Sequence, residues 1–515
     1  MNQRLKIAFA CGLFAASFAA APAKAGKSDD TLTWTTATEI DTFDIYYNGV
    51  REVVIATLYN CDSLMHRDPA TGEYKPLLAE AYRFIDDVTL EIDLRKGVKF
   101  HNGAELKAED VAYTLNHVRR PDSNIDTRLA VDWIKDIQVI NPLKLRIIAH
   151  APTPAALEFL SGNTAIYPAG HYDKAPVVSV AGGKTRQDWA AVRPMCTGPY
   201  VLTDFQPGRS ATWVKNPNYF KESPKGQPSI GKVVYRTITD NEAQLAELLT
   251  GSIDWVWGVA PENAKRLSDM GTVSVKAAPT TRLSFLTLDS AGRSGDSPLK
   301  DVRVRRALMH AIDRKALADL VGNMASVLKS MCHPAQIGCT EDVTQFPYDP
   351  AKAKALLAEA GFPNGLKLPF YAYRDRPYSE AVLAFLRNVG IQPDFRFIQF
   401  VALRPLVLGG KAELTHQTWG SQGMQDASAS VSLYFKLGDD DYSRDAEVNN
   451  WLTIADTSMD LAKRKEFYAK ALEKIASQAY AIPLFIYGRA YAFNKALDYE
   501  VTPDEIAHFY KTKWK

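Results

Sequence analysis

The 515-residue sequence is short of net charge, of cysteine and of long apolar runs, and each scarcity removes a class of protein. Lys and Arg number 61 against 59 Asp and Glu, a formal net charge of +2, and no basic run stands out. Such a balance gives no electrostatic footing for the phosphate backbone of nucleic acid. Apolar residues run on uninterrupted only near the start, from Ile7 to Ala21. Beyond it nothing approaches the roughly 18 residues that mark a membrane-spanning helix. There is no fixed-period repeat or low-complexity tract. No His-Glu-x-x-His zinc motif and no Gly-x-Ser-x-Gly nucleophile elbow occurs. Gly183-Lys184-Thr185 ends like a phosphate loop, but Val178 stands where that loop needs its first glycine.

The early apolar run has the form of a secretory signal peptide. Arg4 and Lys6 make the positive start, and Ala23-Lys24-Ala25 places small residues ahead of a cut before Gly26. The run is short for a membrane anchor. Cys11 sits in a poor lipidation context, because Ala8-Phe9-Ala10 precedes it and the apolar run continues past it. The expectation is therefore export, with residues 1–25 removed after Ala25. That removal takes Arg4, Lys6 and Lys24 and no acid, leaving 58 basic and 59 acidic residues and a net charge of −1.

Four cysteines follow the leader: Cys61, Cys196, Cys332 and Cys339. Export puts them where disulfides persist. Cys332 and Cys339 have Pro334 and Gly338 between them to bend the chain, and a local disulfide is expected there. Cys61 and Cys196 could pair across a long loop, which spacing alone leaves open. The spacings fit no standard zinc pattern.

What remains is ordinary globular sequence, 46% apolar and 23% charged, with a length that suggests about three domains. Val88 to Leu94 alternates apolar and polar, which predicts a half-buried strand. Ile137–Ile140 and Leu143–Ile148 flank Asn141-Pro142 and predict a hairpin. Residues 107–118 carry Val111, Leu115 and Val118 on one helical face. Asp301 and Asp349 precede helical patterns as caps, the second followed by Pro350 and closed by Gly361. A longer helix is expected from about Asp460 to Ala479, and a strand over 484–487. Trp255 and Trp257 alternate in a strand-like run and read as core. The irregular succession predicts several α/β or α+β lobes in place of one doubly wound sheet.

Four ordered blocks carry a family resemblance. Pro76-Leu77-Leu78-Ala79-Glu80-Ala81-Tyr82 leads to Leu94-Arg95-Lys96-Gly97-Val98-Lys99-Phe100-His101-Asn102-Gly103 and Ala108-Glu109-Asp110-Val111. Thr197-Gly198-Pro199-Tyr200 precedes Asn216-Pro217-Asn218-Tyr219. Then come Phe285 to Asp289 with Pro298 to Leu308, and finally Tyr348-Asp349-Pro350 to Gly361-Phe362. The ordered set resembles the family 5 bacterial extracellular solute-binding proteins, the dipeptide, oligopeptide and nickel receptors of ABC importers. His101, in the first block, reads as a turn or packing histidine and not as a metal ligand.

The resemblance implies an α/β, class II (cluster C) periplasmic binding protein with two lobes, three domains and a hinge. The domains it implies are 26–53, 195–276 and 480–515 for domain I, 54–194 for domain II, and 277–479 for domain III. It implies a periplasmic monomer that takes a small-molecule or peptide-like ligand and serves an inner-membrane permease with ATPase subunits. No cofactor, catalytic residue or metal is implied.

For the site, Arg376 in Tyr373-Arg374-Asp375-Arg376-Pro377-Tyr378 resembles the family's carboxylate-binding Arg-Pro-Tyr. Guanidinium suits a carboxylate through its planar double donor. A structural ion pair, for instance with Asp375, is the equal alternative. Thr42 and Phe43 lie in the stretch matching the family's cleft-edge loop, where backbone groups touch ligand; Tyr46 and Tyr47 are weaker candidates. Trp419 matches the family's tryptophan, but Gln422 stands where an acid is expected, and Asp426 matches a later acid. A buried ammonium deprived of its carboxylate loses about 2–5 kcal/mol. The expected ligand is therefore a peptide-like or opine-like acid without a conventional α-ammonium. The alternatives are a glycoside, a nickel chelate approached by His416, or a secreted hydrolase using two of the many carboxylates.

Overall fold

The computed structural model describes residues 26–126, 128, 130–162, 164–180, 184–322, 324–420 and 423–515. The expected leader peptide and Gln422 lie outside the described residues.

The fold is mixed α/β, organised on an eleven-stranded sheet. One half of it runs, in spatial order, 200–206, 210–215, 232–237, 31–36 and 255–259, and the N-terminal strand pairs in parallel with both its neighbours. The other half runs 414–419, 366–372 and 391–397, all parallel to one another. Two long antiparallel strands, Ser274–Leu288 and Ala481–Phe493, join the halves. The end where Ser274 opposes Phe493 adjoins 255–259, and the end where Thr287 opposes Ala481 adjoins 414–419. Their register slips between Pro279 and Leu283. Within that slip Thr280 Oγ1 donates to the Tyr487 carbonyl at 2.9 Å, and Thr281 N donates to Pro503 O at 2.9 Å. Gly488 lies opposite Pro279, and a side chain is excluded there because any Cβ would come 2.1 Å from Met324.

A separate four-stranded antiparallel sheet orders as 79–86, 89–94, 144–149 and 134–141. Its core takes Val111 and Leu115 of the helix Ala108–Val118. The hairpin expected from the sequence is here, and so is the strand, but Thr89–Leu94 is buried on both faces and not half-buried, with Glu91 enclosed by its ion pairs to Arg83, Lys144 and Arg146. The capped helices are equally close to expectation: Val302–Ala311, Pro350–Glu359 and Leu461–Ser477 begin at Asp301, Asp349 and Asp460, each of whose side chains accepts from a first-turn N–H. The short strand expected over 484–487 is part of the thirteen-residue strand 481–493.

Both disulfides are formed. Cys332–Cys339 closes the local loop, and Cys61–Cys196 spans 135 residues. The second pins the end of helix Arg51–Asn60 beside Gly198, whose missing side chain is required because a Cβ would sit 2.4 Å from the Asn60 carbonyl. Trp255 is wholly buried among Trp34, Tyr491 and Phe509. No helix among the described residues is long and apolar enough to cross a membrane.

Candidate functional site

The two long strands carry arginines where the halves of the sheet meet. Arg282 stands at the register slip and Arg489 on the partner strand. Arg51, the first residue of helix Arg51–Asn60, comes to the same place. All three close on Glu505: Arg51 Nη2 at 3.2 Å, Arg282 Nε at 3.0 Å and Arg489 Nε at 3.2 Å. Glu505 has no exposed side-chain surface, whereas the arginines keep 10%, 13% and 21%. Burial alone would raise the Glu505 carboxyl, but the positive charges of Arg282, Arg51 and Arg489 outweigh it and hold the pKa at about 2. Burial pushes the Arg51 guanidinium down, against the pull of Glu505.

The surroundings fix these groups. Arg51 Nη1 donates to Asp504 O at 2.9 Å. Arg489 lies over the Trp257 and Tyr487 rings, 5.5 and 5.4 Å from their centroids. Tyr487 donates its hydroxyl to Asp375 at 2.7 Å, which brings in the loop before helix Arg376–Asn388. Asp375 holds φ 52°, a left-handed conformation uncommon for a residue with a side chain. From the second half of the sheet, Gly420 reaches the arginines: a Cβ on it would be 3.0 Å from Arg282 Nη2 and 3.1 Å from Arg51 Nη2.

Next to this group the 54–194 region meets the segment after Gly420. Arg67 Nη2 donates to Gly423 O at 2.6 Å, and its Nε is 3.5 Å from Glu158. Phe159, Met424 and Ala429 pack together, with Ala130 and Trp133 against them. Beneath lies a cavity of about 50 Å³ lined by His66, Lys225, Asp504 and Tyr510 among others. It has room for a few waters but not for a peptide.

The residues singled out from sequence fare differently. Arg376 is 59% exposed and pairs with Glu380 at 2.7 Å, one turn along its own helix; it stacks near Phe395 and Phe397. That is the ion-pair alternative, with Glu380 in place of Asp375. Asp426 is only 4% exposed; it pairs with buried Arg464 at 2.7 Å and caps the turn Ala427–Ala429 through Ser428 N. Its carboxylate is committed within the core, not to a cleft. The side chains of Thr42 and Phe43 are buried as well: Thr42 Oγ1 accepts from Asp44 N, and Phe43 packs edge-on against Phe205 and Trp213. Tyr46 and Tyr47 bind Ala165 O and His117, so they too are packing residues.

Asp44 is the unusual neighbour in that loop. It is buried with the hydroxyls of Tyr172 and Tyr167 donating to it, and burial pushes its pKa up to about 7. Trp419 is half-buried at the strand end next to Gly420 and donates Nε1 to Ala429 O at 2.7 Å. His416 has both ring nitrogens engaged, by Ser284 at 2.8 Å and Ser379 at 2.7 Å, and burial lowers its pKa to about 4. It is a neutral core residue without a nitrogen left for a metal. Among the described residues no group of three or more His, Cys, Asp or Glu is placed to hold a metal ion.

Sequence reasoning missed Arg51, Arg282, Arg489 and Glu505. One signal was available: a lone arginine inside the apolar run from Ile482 to Phe493. A charge in a central strand has to find a partner.

Comparison with known proteins places the chain. The profile of bacterial extracellular solute-binding proteins, family 5 Middle, matches residues 73–441. The glutathione-binding protein GsiB of Salmonella choleraesuis (strain SC-B67) is 28% identical over 383 residues, 73% of this chain and 71% of GsiB. Among solved structures, the ABC transporter substrate-binding protein CtaP from Listeria monocytogenes superposes with a TM-score of 0.81 at 20% identity, covering 95% of this chain and 99% of CtaP. A dipeptide-binding protein from Pseudoalteromonas sp. SM9913, solved with Met-Leu, gives 0.80 at 19% identity over 94% of this chain and all of that one. These neighbours share the two-lobe periplasmic binding fold. The chain belongs to the family 5 bacterial extracellular solute-binding proteins.

Proposed function

We propose that this protein captures a small polar solute between two lobes in the periplasm and hands it, unchanged, to an inner-membrane ABC permease with its ATPase subunits. The strands 274–288 and 481–493 act as the hinge. Domain I is built from 26–53, 195–276 and 480–515, domain II from 54–194, and domain III from 277–479. The protein works as a monomer and needs no cofactor. Hinge closure suits a receptor, because the solute stabilises the closed state by contacts that are missing in the open one.

The observation that carries this reading is the meeting of Arg51, Arg282 and Arg489 with Gly420 at the junction of the two sheet halves. Backbone around Thr42 and Phe43, the Trp419 ring and Gln422 remain on the list of solute contacts. The solute class favoured is a peptide-like or opine-like acid. GsiB is named for glutathione and the Pseudoalteromonas protein was solved with a dipeptide; both ligands are peptide acids, and both carry the α-ammonium that the sequence reading does not expect here.

Small-angle scattering on the mature protein tests this. Glutathione, Met-Leu and a set of opine-like acids are added in turn, with product analysis on the same samples. Compaction by at least one solute, recovered intact, is expected. A profile unmoved by all of them, or a solute converted to product, would overturn the reading.

A further inference from the structure

We propose that Arg51, Arg282 and Arg489 form the anion subsite of the solute cleft, and that the solute presents a carboxylate to the terminal nitrogens of Arg282 and Arg489. This rests on the receptor reading above and narrows it.

The donors are there and oriented. Arg282 and Arg489 each meet Glu505 through Nε alone. Their terminal nitrogens make no hydrogen bond with the described residues, and both side chains keep a solvent-reaching edge while Glu505 beneath is enclosed. Two planar forks whose terminal donors are unused among the described residues match a carboxylate.

The charges around the donors are balanced within the chain, so it is open donor capacity that the solute meets. Three guanidinium groups face three carboxylates: Glu505 meets all of them, Asp504 acts on Arg51 and Asp375 on Arg489. Glu505 sets the arginines in position before any solute arrives, so little ordering is lost on binding. The placement explains capture: two of the donors sit on the strands that join the halves of the sheet, and Gly420 comes to them from the far half.

The test is thermal-shift screening followed by calorimetry on the mature protein. The panel holds amino acids, di- and tripeptides, glutathione and sugar acids, each acid beside its amide or ester, with neutral sugars included. The tightest binder is expected to be an acid, and blocking its carboxylate should weaken it at least tenfold. Arg282→Lys keeps a cation on Glu505 but removes the fork, and Arg489→Gln removes the second one. Each should weaken the acid at least tenfold while circular dichroism stays unchanged. Should Arg489→Gln fail to fold, Arg282→Lys and the blocked acids decide. A tightest binder without an acidic group, or variants within twofold of wild type, overturns the subsite and leaves the receptor standing. A panel in which nothing binds removes both.

Discussion

Replacing Glu505 by Gln separates the scaffold from the binding role of the arginine group. The magnitude follows from the carboxyl's position. Its pKa is held at about 2, against the model-peptide value of 4.5, and each unit of depression corresponds to about 1.4 kcal/mol, so the charge contributes about 3 kcal/mol at neutral pH. Taking one partner from a buried ion cluster costs about 3–5 kcal/mol, which agrees. The sign is fixed by linkage. A carboxyl whose folded pKa is depressed contributes fully above its unfolded value, and the contribution fades as pH falls from 4.5 through about 2. Urea unfolding of wild type and Glu505→Gln, followed by tryptophan fluorescence at pH 7 and pH 3, reads this directly. The expected gap is about 3–5 kcal/mol at pH 7 and distinctly smaller at pH 3. If it survives folding, the variant binds acids more weakly than wild type, because the arginines are no longer gathered and positioned on Glu505. A gap under about 0.5 kcal/mol at pH 7, or one equal at both pH values, would refute the cluster as drawn.

Three further outcomes follow from particular contacts. Asp426→Asn breaks the buried pair with Arg464 and should cost about 3–5 kcal/mol on urea unfolding, while solute affinity changes less than threefold; a stable variant that cannot bind would return Asp426 to the site. Cys61→Ser with Cys196→Ser releases a closed loop of 135 residues and should cost about 5 kcal/mol, against about 2 kcal/mol for Cys332→Ser with Cys339→Ser, whose separation is 7; equal losses on unfolding would contradict the loop-entropy account. Arg376→Gln removes an exposed pair with Glu380 and should leave the dissociation constant within threefold by calorimetry; a tenfold loss would restore Arg376 as a solute contact.

Local devices in this chain were readable from sequence, and distant convergence was not. Asp301, Asp349 and Asp460 announce their helices because a cap and its first-turn N–H groups lie within three residues. Thr89–Leu94 is readable for the same reason, since alternation is a local property. The strand Ala481–Phe493 was seen only in part, because nearly all of it is buried and its residues show no alternation. The pair Cys61–Cys196 needed the fold to bring its ends together. Arg376 shows another limit of local motifs: the sequence finds the arginine, but only the fold shows that the helix beginning there holds it at the surface beside Glu380.

The arginine group was out of reach for a physical reason. Its members come from the start of one helix, from two strands that pair only after the chain has made most of the sheet, and from a C-terminal turn around Asp504. No spacing in the sequence encodes that meeting. Burial then decides what the meeting is for. Three guanidinium groups gathered without Glu505 would repel one another in a medium that screens poorly, and burial already pushes Arg51 down. With Glu505 beneath them they are held together. Asp504 also acts on Arg51 and Asp375 on Arg489, so three carboxylates stand against the three guanidinium groups. What points outward is therefore donor capacity and not surplus charge: Arg282 and Arg489 spend only Nε on Glu505, and their terminal nitrogens are what the proposed solute acid would meet.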